Sequence, residues 1–254
     1  MDGTTSGGFN ISGDGLTVVG NSWANPSNGN GTSPYAHAVA WSTTEGLMDL
    51  GSMYASNNRS SRANAVNNDA SVVVGYQDFN GPWKSAVWRK NPEGGYFPNE
   101  YILIDPSGDP TDEYNQIGEC SAVSGDGNWI GGYGDYANAD EPWIWSETTG
   151  VINLGTLGGA GRVSAINNDG SVVIGWFDIG FWDPQVPFIW TPTEGLQNLN
   201  TYITETLGYT MGNSPVYIPN NMSANGKYIV GWGYDSTISE WGDLFTFRLQ
   251  LPDG

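Results

Sequence analysis

The chain reads as all-β, a five-bladed β-propeller of four-stranded antiparallel blades, and three observations predict it. A ten-residue unit recurs five times along 254 residues. Glycine (37) and proline (14) are abundant while aromatic residues still reach 13%, a turn-rich composition that disordered chains do not carry. The apolar runs between turns are short and alternate, as strands do and helices do not.

The recurring unit reads ISGDGLTVVG at 11–20, VNNDASVVVG at 66–75, VSGDGNWIGG at 123–132, INNDGSVVIG at 166–175 and MSANGKYIVG at 222–231. Its last glycines are 55, 57, 43 and 56 residues apart. Each unit has an apolar residue, a polar turn built on Asp-Gly, Asp-Ala or Asn-Gly, and an apolar pair before the final glycine. Asp-Gly and Asn-Gly supply the positive φ of a tight hairpin, so the unit predicts strand, turn, strand. After a variable loop, a third strand ends at Trp41, Trp88, Trp145 and Trp190, with Phe247 in the fifth repeat. Turns at 43–46, 91–94, 148–150 and 192–195 follow, and lead to a fourth strand exemplified by 47–50, 151–154 and 196–199. One such sheet cannot bury both of its faces, so the repeats must stack, and radial stacking gives a propeller. The predicted blades cover approximately 1–55, 56–115, 116–160, 161–212 and 213–254 within one domain. A linear array or a β-sandwich is the alternative.

Charge narrows the partners. The chain has 27 Asp and Glu against 8 Lys and Arg, a net charge of −19. Such a surface is a poor match for nucleic acid or an anionic membrane. No apolar run approaches the roughly 18 residues of a membrane span, so membrane insertion is not expected. The single cysteine, Cys120, excludes an intrachain disulfide and reads as a small core residue. Polarity carried by Asn, Ser, Thr and Gly rather than by charge fits an exported protein. No leader segment follows Met1, so the chain is either intracellular or, as this composition favours, a mature exported chain.

The loops joining second to third strands, at 21–36, 76–85, 133–142, 176–187 and 232–244, are the longest and most varied, and share one face of a propeller. Trp23, Trp83, Tyr136, Trp182 and Trp241 lie in them among Asn and Asp. Aromatic faces beside short polar side chains suit sugar rings, so these five are the candidate ligand contacts. Tyr76, Tyr133, Trp176 and Trp232, directly after the repeat glycines, are expected to continue the second strand and pack between blades. Asp78, Asp135 and Asp178 stand three residues past a repeat glycine and Asp235 four past, an arc that could hold Ca²⁺. The competing reading is that each aspartate opens a turn through its own backbone hydrogen bonds. With one histidine, His37, and no nucleophile, phosphate-loop or dinucleotide motif, no catalytic constellation is legible.

Two stretches also resemble the HAF-type extracellular repeat of exported bacterial proteins: NLGTLGG at 153–159 followed by AINNDGSVVIG at 165–175, and His37-Ala38-Val39 ahead of Trp41. The likeness runs over nearly the whole chain. It departs at Phe247, which replaces tryptophan, and in carrying histidine once. The resemblance implies export and a surface role, and attaches no chemistry to the repeat. The expected function is a non-catalytic extracellular binding module for a glycan or other cell-surface partner, with Ca²⁺ as an optional ligand. A surface adhesion or protein-interaction scaffold is the alternative, followed by a glycoside hydrolase or lyase.

Overall fold

The computed structural model describes residues 6–25, 31–51, 60–78, 83–97, 118–134, 141–180, 183–235, 237 and 243–252. Side chains at 6–7, 23–25, 31–35, 78 and 83 are outside that description. The described chain is all-β apart from one short helical segment, and forms five antiparallel sheets in chain order.

Sheet 1 contains β1 (Ser6–Ile11), β2 (Thr17–Asn25), β3 (Gly31–Ser42) and β4 (Gly46–Asp49). Sheet 2 contains β5 (Ser61–Val66), β6 (Val72–Asp78) and β7 (Trp83–Arg89). Sheet 3 contains β8 (Cys120–Val123), β9 (Trp129–Tyr133), β10 (Pro142–Ser146) and β11 (Gly150–Asn153). Sheet 4 contains β12 (Ala160–Ile166), β13 (Val173–Asp178), β14 (Val186–Thr191) and β15 (Gly195–Asn198). Sheet 5 contains β16 (Val216–Met222), β17 (Tyr228–Asp235) and β18 (Asp243–Gln250). Strands pair in sequential order within every sheet.

Four strands per sheet therefore hold for sheets 1, 3 and 4, and sheets 2 and 5 have three among the described residues. After β7 the described residues make a Lys90–Tyr96 bridge around the 91–95 turn. After β18 it turns into Leu251 and Pro252, and a proline cannot donate to a ladder. Between sheets 4 and 5 a short helix, α1 (Leu199–Thr201), runs into a π-helical turn at Tyr202–Thr206. Asn198 caps it by accepting from the Asn200 and Thr201 amides, and Leu199 and Ile203 bury its inner side.

The ten-residue unit is a hairpin in every sheet. Its first polar residue, Ser12, Asn67, Ser124, Asn167 or Ser223, accepts an amide five residues on and closes the turn. In sheet 2 the turn glycine is replaced by Ala70, held at a φ of 57°, and Tyr96 donates its hydroxyl to the Ala70 carbonyl at 2.7 Å. Turns of adjacent sheets also join: Asp14 donates its amide to Asn68, Asn68 to Gly125, and Asn168 to Ala224, each at 2.9–3.0 Å. The Asn68 side chain fills the space beside Gly13 and Gly125, where an added Cβ would come within 2.3 and 2.6 Å of its amide atoms. Turns opening on Ser-Gly, or Ser-Ala in sheet 5, thus alternate with Asn-Asn turns as small and large partners.

The register defines a cross-strand row that recurs. Val18 pairs with Trp41, Val73 with Trp88, Ile130 with Trp145, Val173 with Trp190, and Ile229 with Leu249. Leu249, and not Phe247, is thus the fifth counterpart of the tryptophans. Phe247 lies opposite Gly231, where Phe188 lies opposite Gly175. In sheets 2 to 5 this row packs on the preceding sheet: Val66, Val73 and Trp88 join Val19, Ala38 and Ala40 in one apolar cluster. Three equivalent clusters fill the next three interfaces.

The first strands of all five sheets line one cavity of about 310 Å³, among them Asn10, Ala65, Ala122, Ala165 and Asn221. Among the described residues no apolar cluster joins the last sheet to the first. On sheet 1 the row that elsewhere meets a preceding sheet is bare, with Ile11 56% and Trp41 40% exposed. On sheet 5, Val230 occupies the place of the buried Val19, Val74 and Ile174 yet is 42% exposed, and Leu244 is 72% exposed.

Two expected results arise from this packing. Cys120 is buried against sheet 2, and its thiol is pushed well up by burial. Native protein should therefore resist iodoacetamide, with alkylation following only on unfolding; rapid native labelling, read by mass, would contradict the burial. Asp69 and Asp169 are held below the usual carboxylate range by hydrogen bonds from the Ser71 and Ser171 side chains and amides. A depressed folded-state pKa means that the stabilisation is present at neutral pH and is lost as pH falls through the folded-state values. The melting temperature should fall as pH drops through and below the ordinary aspartate value of about 3.9, and fall less when both aspartates are changed to asparagine. An equal fall in the double variant would remove these turns as the cause.

Candidate functional site

Hairpin turns end the first strands at one mouth of the cavity. The first strands begin at the other end of the sheets, beside the ends of the second strands. Antiparallel register sets the residue after each repeat glycine beside the start of a first strand: Arg62 faces Tyr76, Arg162 faces Trp176, and Tyr133 donates its amide to Glu119.

These residues form a continuous network across neighbouring sheets. The Arg62 guanidinium lies 4.8 Å from the Tyr76 ring centre and 5.1 Å from that of Phe9 on sheet 1. Arg62 also donates to Glu119 Oε1 at 2.8 Å and to Asn64 Oδ1 at 2.7 Å. Asn64 in turn donates to Glu119 Oε1 at 2.6 Å and to the Cys120 carbonyl at 2.8 Å. Tyr133 donates its hydroxyl to Glu119 Oε2. Glu119 is 3% exposed, and its two carboxyl oxygens accept from Arg62, Asn64 and Tyr133, the hydrogen bonds that burying such a group requires. Burial, and then the Glu119 charge, push the Tyr133 phenol up and keep it a donor. The far face of the Tyr133 ring carries the Arg162 guanidinium at 4.3 Å, and the Trp176 ring lies 5.2 Å from the same group. On sheet 5 the aromatic surface continues with Tyr217, stacked on Tyr234 at 5.9 Å and tilted against Trp232 at 6.1 Å.

Of the residues proposed from sequence, Trp23 and Trp83 lie on β2 and β7 with side chains outside the described set, and Tyr136, Trp182 and Trp241 are outside it altogether. So are Asp135 and the Asp78 side chain. Asp178 is exposed and accepts the Gly180 amide at 3.3 Å. Asp235 accepts the Thr237 hydroxyl at 2.5 Å, the Ser214 hydroxyl at 2.7 Å and the Thr237 amide at 2.8 Å, bonds that hold its pKa down. Both aspartates do what a turn-opening aspartate does. Among the described residues no three His, Cys, Asp or Glu side chains come together as metal ligands.

The sequence reading passed over Arg62, Glu119 and Arg162. The signal was present, since each stands four residues before the first residue of a repeat unit. Tyr133 and Trp176, expected only to fill space between blades, are half-buried and hold a guanidinium between them. His37 is buried within β3, with Nδ1 3.1 Å from Asp49 Oδ2. Aromatic faces, guanidinium groups and amides at one mouth can stack on and hydrogen-bond a polar ring. The one buried carboxylate of this network is committed to Arg62, Asn64 and Tyr133.

No protein-family model and no curated protein matches the chain. Among solved structures it is similar to a protein of Agrobacterium tumefaciens assigned as a TolB, with a TM-score of 0.53 and 14% identity over 97% of this chain and 82% of that one. It also matches the β-propeller domain of the Trilobed protease from Pyrococcus furiosus, at a TM-score of 0.44 and 11% identity over 100% of this chain and 85% of that domain. At these identities the likeness concerns the fold, an all-β protein of the β-propeller kind.

Proposed function

We propose that the chain is a non-catalytic extracellular binding module, one five-bladed propeller domain that recognises glycans at the mouth where the first strands begin. The observation that carries this is the run of Tyr133, Trp176, Trp232 and Tyr217, half-buried on three consecutive sheets and interleaved with arginine and amide groups. Sugar rings present C–H faces that stack on aromatics and hydroxyls that bond to such polar groups. In this reading Trp23, Trp83, Tyr136, Trp182 and Trp241 extend the contact surface outward along the loops. Asp78, Asp135, Asp178 and Asp235 would supply Ca²⁺ ligands if binding requires the ion. The HAF-type likeness supports the extracellular setting.

A glycan array probed with and without calcium tests the proposal. Selective signal that drops on Trp176→Ala or Trp232→Ala is expected, with the variants checked for unchanged melting. A blank array in both conditions would sink the glycan reading. The second reading, a surface adhesion or protein-interaction scaffold, is favoured by a different observation, the bare apolar faces of sheets 1 and 5 at Ile11, Trp41, Val230 and Leu244.

A further inference from the structure

Arg62 and Arg162 occupy the same place in their repeats, each four residues before a unit and each opposite the aromatic residue that follows a repeat glycine. Their side chains share a setting too, flanked by one ring from their own sheet and one from the sheet before. They differ in charge compensation. Arg62 has the buried Glu119 carboxylate at 2.8 Å. Arg162, among the described residues, has neither a carboxylate within ion-pair distance nor a side-chain hydrogen bond, and is held only by the Tyr133 and Trp176 rings. Of the two arginines only Arg62 has a carboxylate partner among the described residues, on a chain whose net charge is −19.

A guanidinium presents five N–H donors in a planar fork that matches a carboxylate bidentately. The Tyr133 and Trp176 rings, 4.3 and 5.2 Å from the Arg162 guanidinium, restrict where that fork can point while taking up none of its N–H donors in conventional hydrogen bonds. Aromatic neighbours also lower the local dielectric, so a charge-assisted pair formed there is stronger than one on an open surface.

We infer that Arg162, clamped between Tyr133 and Trp176, is a subsite for the carboxylate of an acidic sugar, so that the module's ligand is a uronate-bearing glycan. The inference rests on the glycan reading above and adds the ligand's charge to it. Arg162 pairs with the carboxylate while Trp176 supplies the stacking face beside it. The Glu119 pairing keeps Arg62 from competing for the same anion.

The test compares hexagalacturonate and hexamannuronate with their methyl esters, which keep the sugar rings and remove only the charge, by calorimetric titration of the full chain. At least one acid form is expected to bind, with its ester at least about tenfold weaker. Arg162→Gln should lower affinity for that acid about tenfold or more and affinity for the ester by clearly less, so that the acid-to-ester ratio shrinks. Arg162→Lys, which keeps the charge but loses the planar fork, should fall between the two. Where Arg162→Gln does not fold, the acid-to-ester ratio measured on the unaltered protein decides the matter. Equal affinity for acid and ester, or an acid affinity unchanged in a folded Arg162→Gln, overturns the inference and leaves glycan binding standing. Failure of both acids and both esters to bind also overturns it, and a blank array alongside would remove the glycan reading itself. Arg162-dependent binding of an acidic peptide with no uronate binding counts against it as well.

Discussion

Gly132→Ala should cost about 3 kcal/mol or more of stability, the largest effect expected from so small a change. An added Cβ at Gly132 would sit 2.1 Å from the Glu119 carbonyl oxygen and 2.5 Å from the Trp143 ring, both closer than any real contact. Neither neighbour can yield. The carbonyl accepts the Tyr133 amide in the inner ladder, and Trp143 is 2% exposed in the cluster between sheets 2 and 3. The repeat glycines Gly75, Gly175 and Gly231 meet the same wall, with a first-strand carbonyl at 1.8, 2.0 and 2.2 Å. The last glycine of the unit is therefore a packing requirement, imposed where the second strand crosses close over the first. In a chain of this length the loss should lower the melting temperature by roughly 6–12 °C. Gly15→Ala separates sterics from backbone conformation. Gly15 has a φ of +74° and open space around its would-be Cβ, so only the left-handed backbone penalty applies, about 1 kcal/mol. Equal melting of the two variants would refute the steric account.

Glu119→Leu should cost about 3 kcal/mol, because it strands partners rather than because the ion pair is strongly stabilising. Removing the carboxylate leaves the Arg62 guanidinium, the Asn64 amide and the Tyr133 hydroxyl facing an apolar side chain at a site with little water. Pairing the change with Arg62→Met removes the stranded charge, and the double variant should be more stable than Glu119→Leu alone. Urea unfolding of both single variants and the double variant gives the coupling, expected at about 1–3 kcal/mol for residues in direct contact. Additive effects would mean that Arg62 and Glu119 do not depend on each other, against the 2.8 Å contact.

How much of this was legible in the residues differs by level. The hairpins were, because Asp-Gly and Asn-Gly turns and the serine or asparagine before them act over five residues or fewer. The third strands were located, but the fifth was read two residues out of step. Phe245, Phe247 and Leu249 alternate onto one face of β18, so periodicity alone could not say which of them opposes Ile229. That choice is made by the 228–250 hairpin register, a non-local property. The helix at 199–206 was missed because its signal is a single cap at Asn198 in a stretch too short to show helical periodicity.

The site was harder to see for a related reason. Arg62, Glu119 and Arg162 are unremarkable where they stand in the chain, and become neighbours only when sheets 2, 3 and 4 stack. Conversely, the aspartates drew attention by their regular spacing. Asp178 and Asp235 each accept an amide two residues on, from Gly180 and Thr237, and this local chemistry repeated on equivalent loops accounts for their regular spacing.

The gap between sheet 5 and sheet 1 also sets the order in which the molecule comes apart. In a stacked array the stability of each unit is its own plus what its neighbours lend, so a unit with one neighbour opens before a unit with two. Sheets 2, 3 and 4 have an apolar cluster on both faces, while the terminal sheets each have one. Amide exchange should therefore be fastest in β18 and β4, slower in β7 and β14, and slowest in β9, so that unfolding proceeds as fraying from the two sides of the seam toward sheet 3.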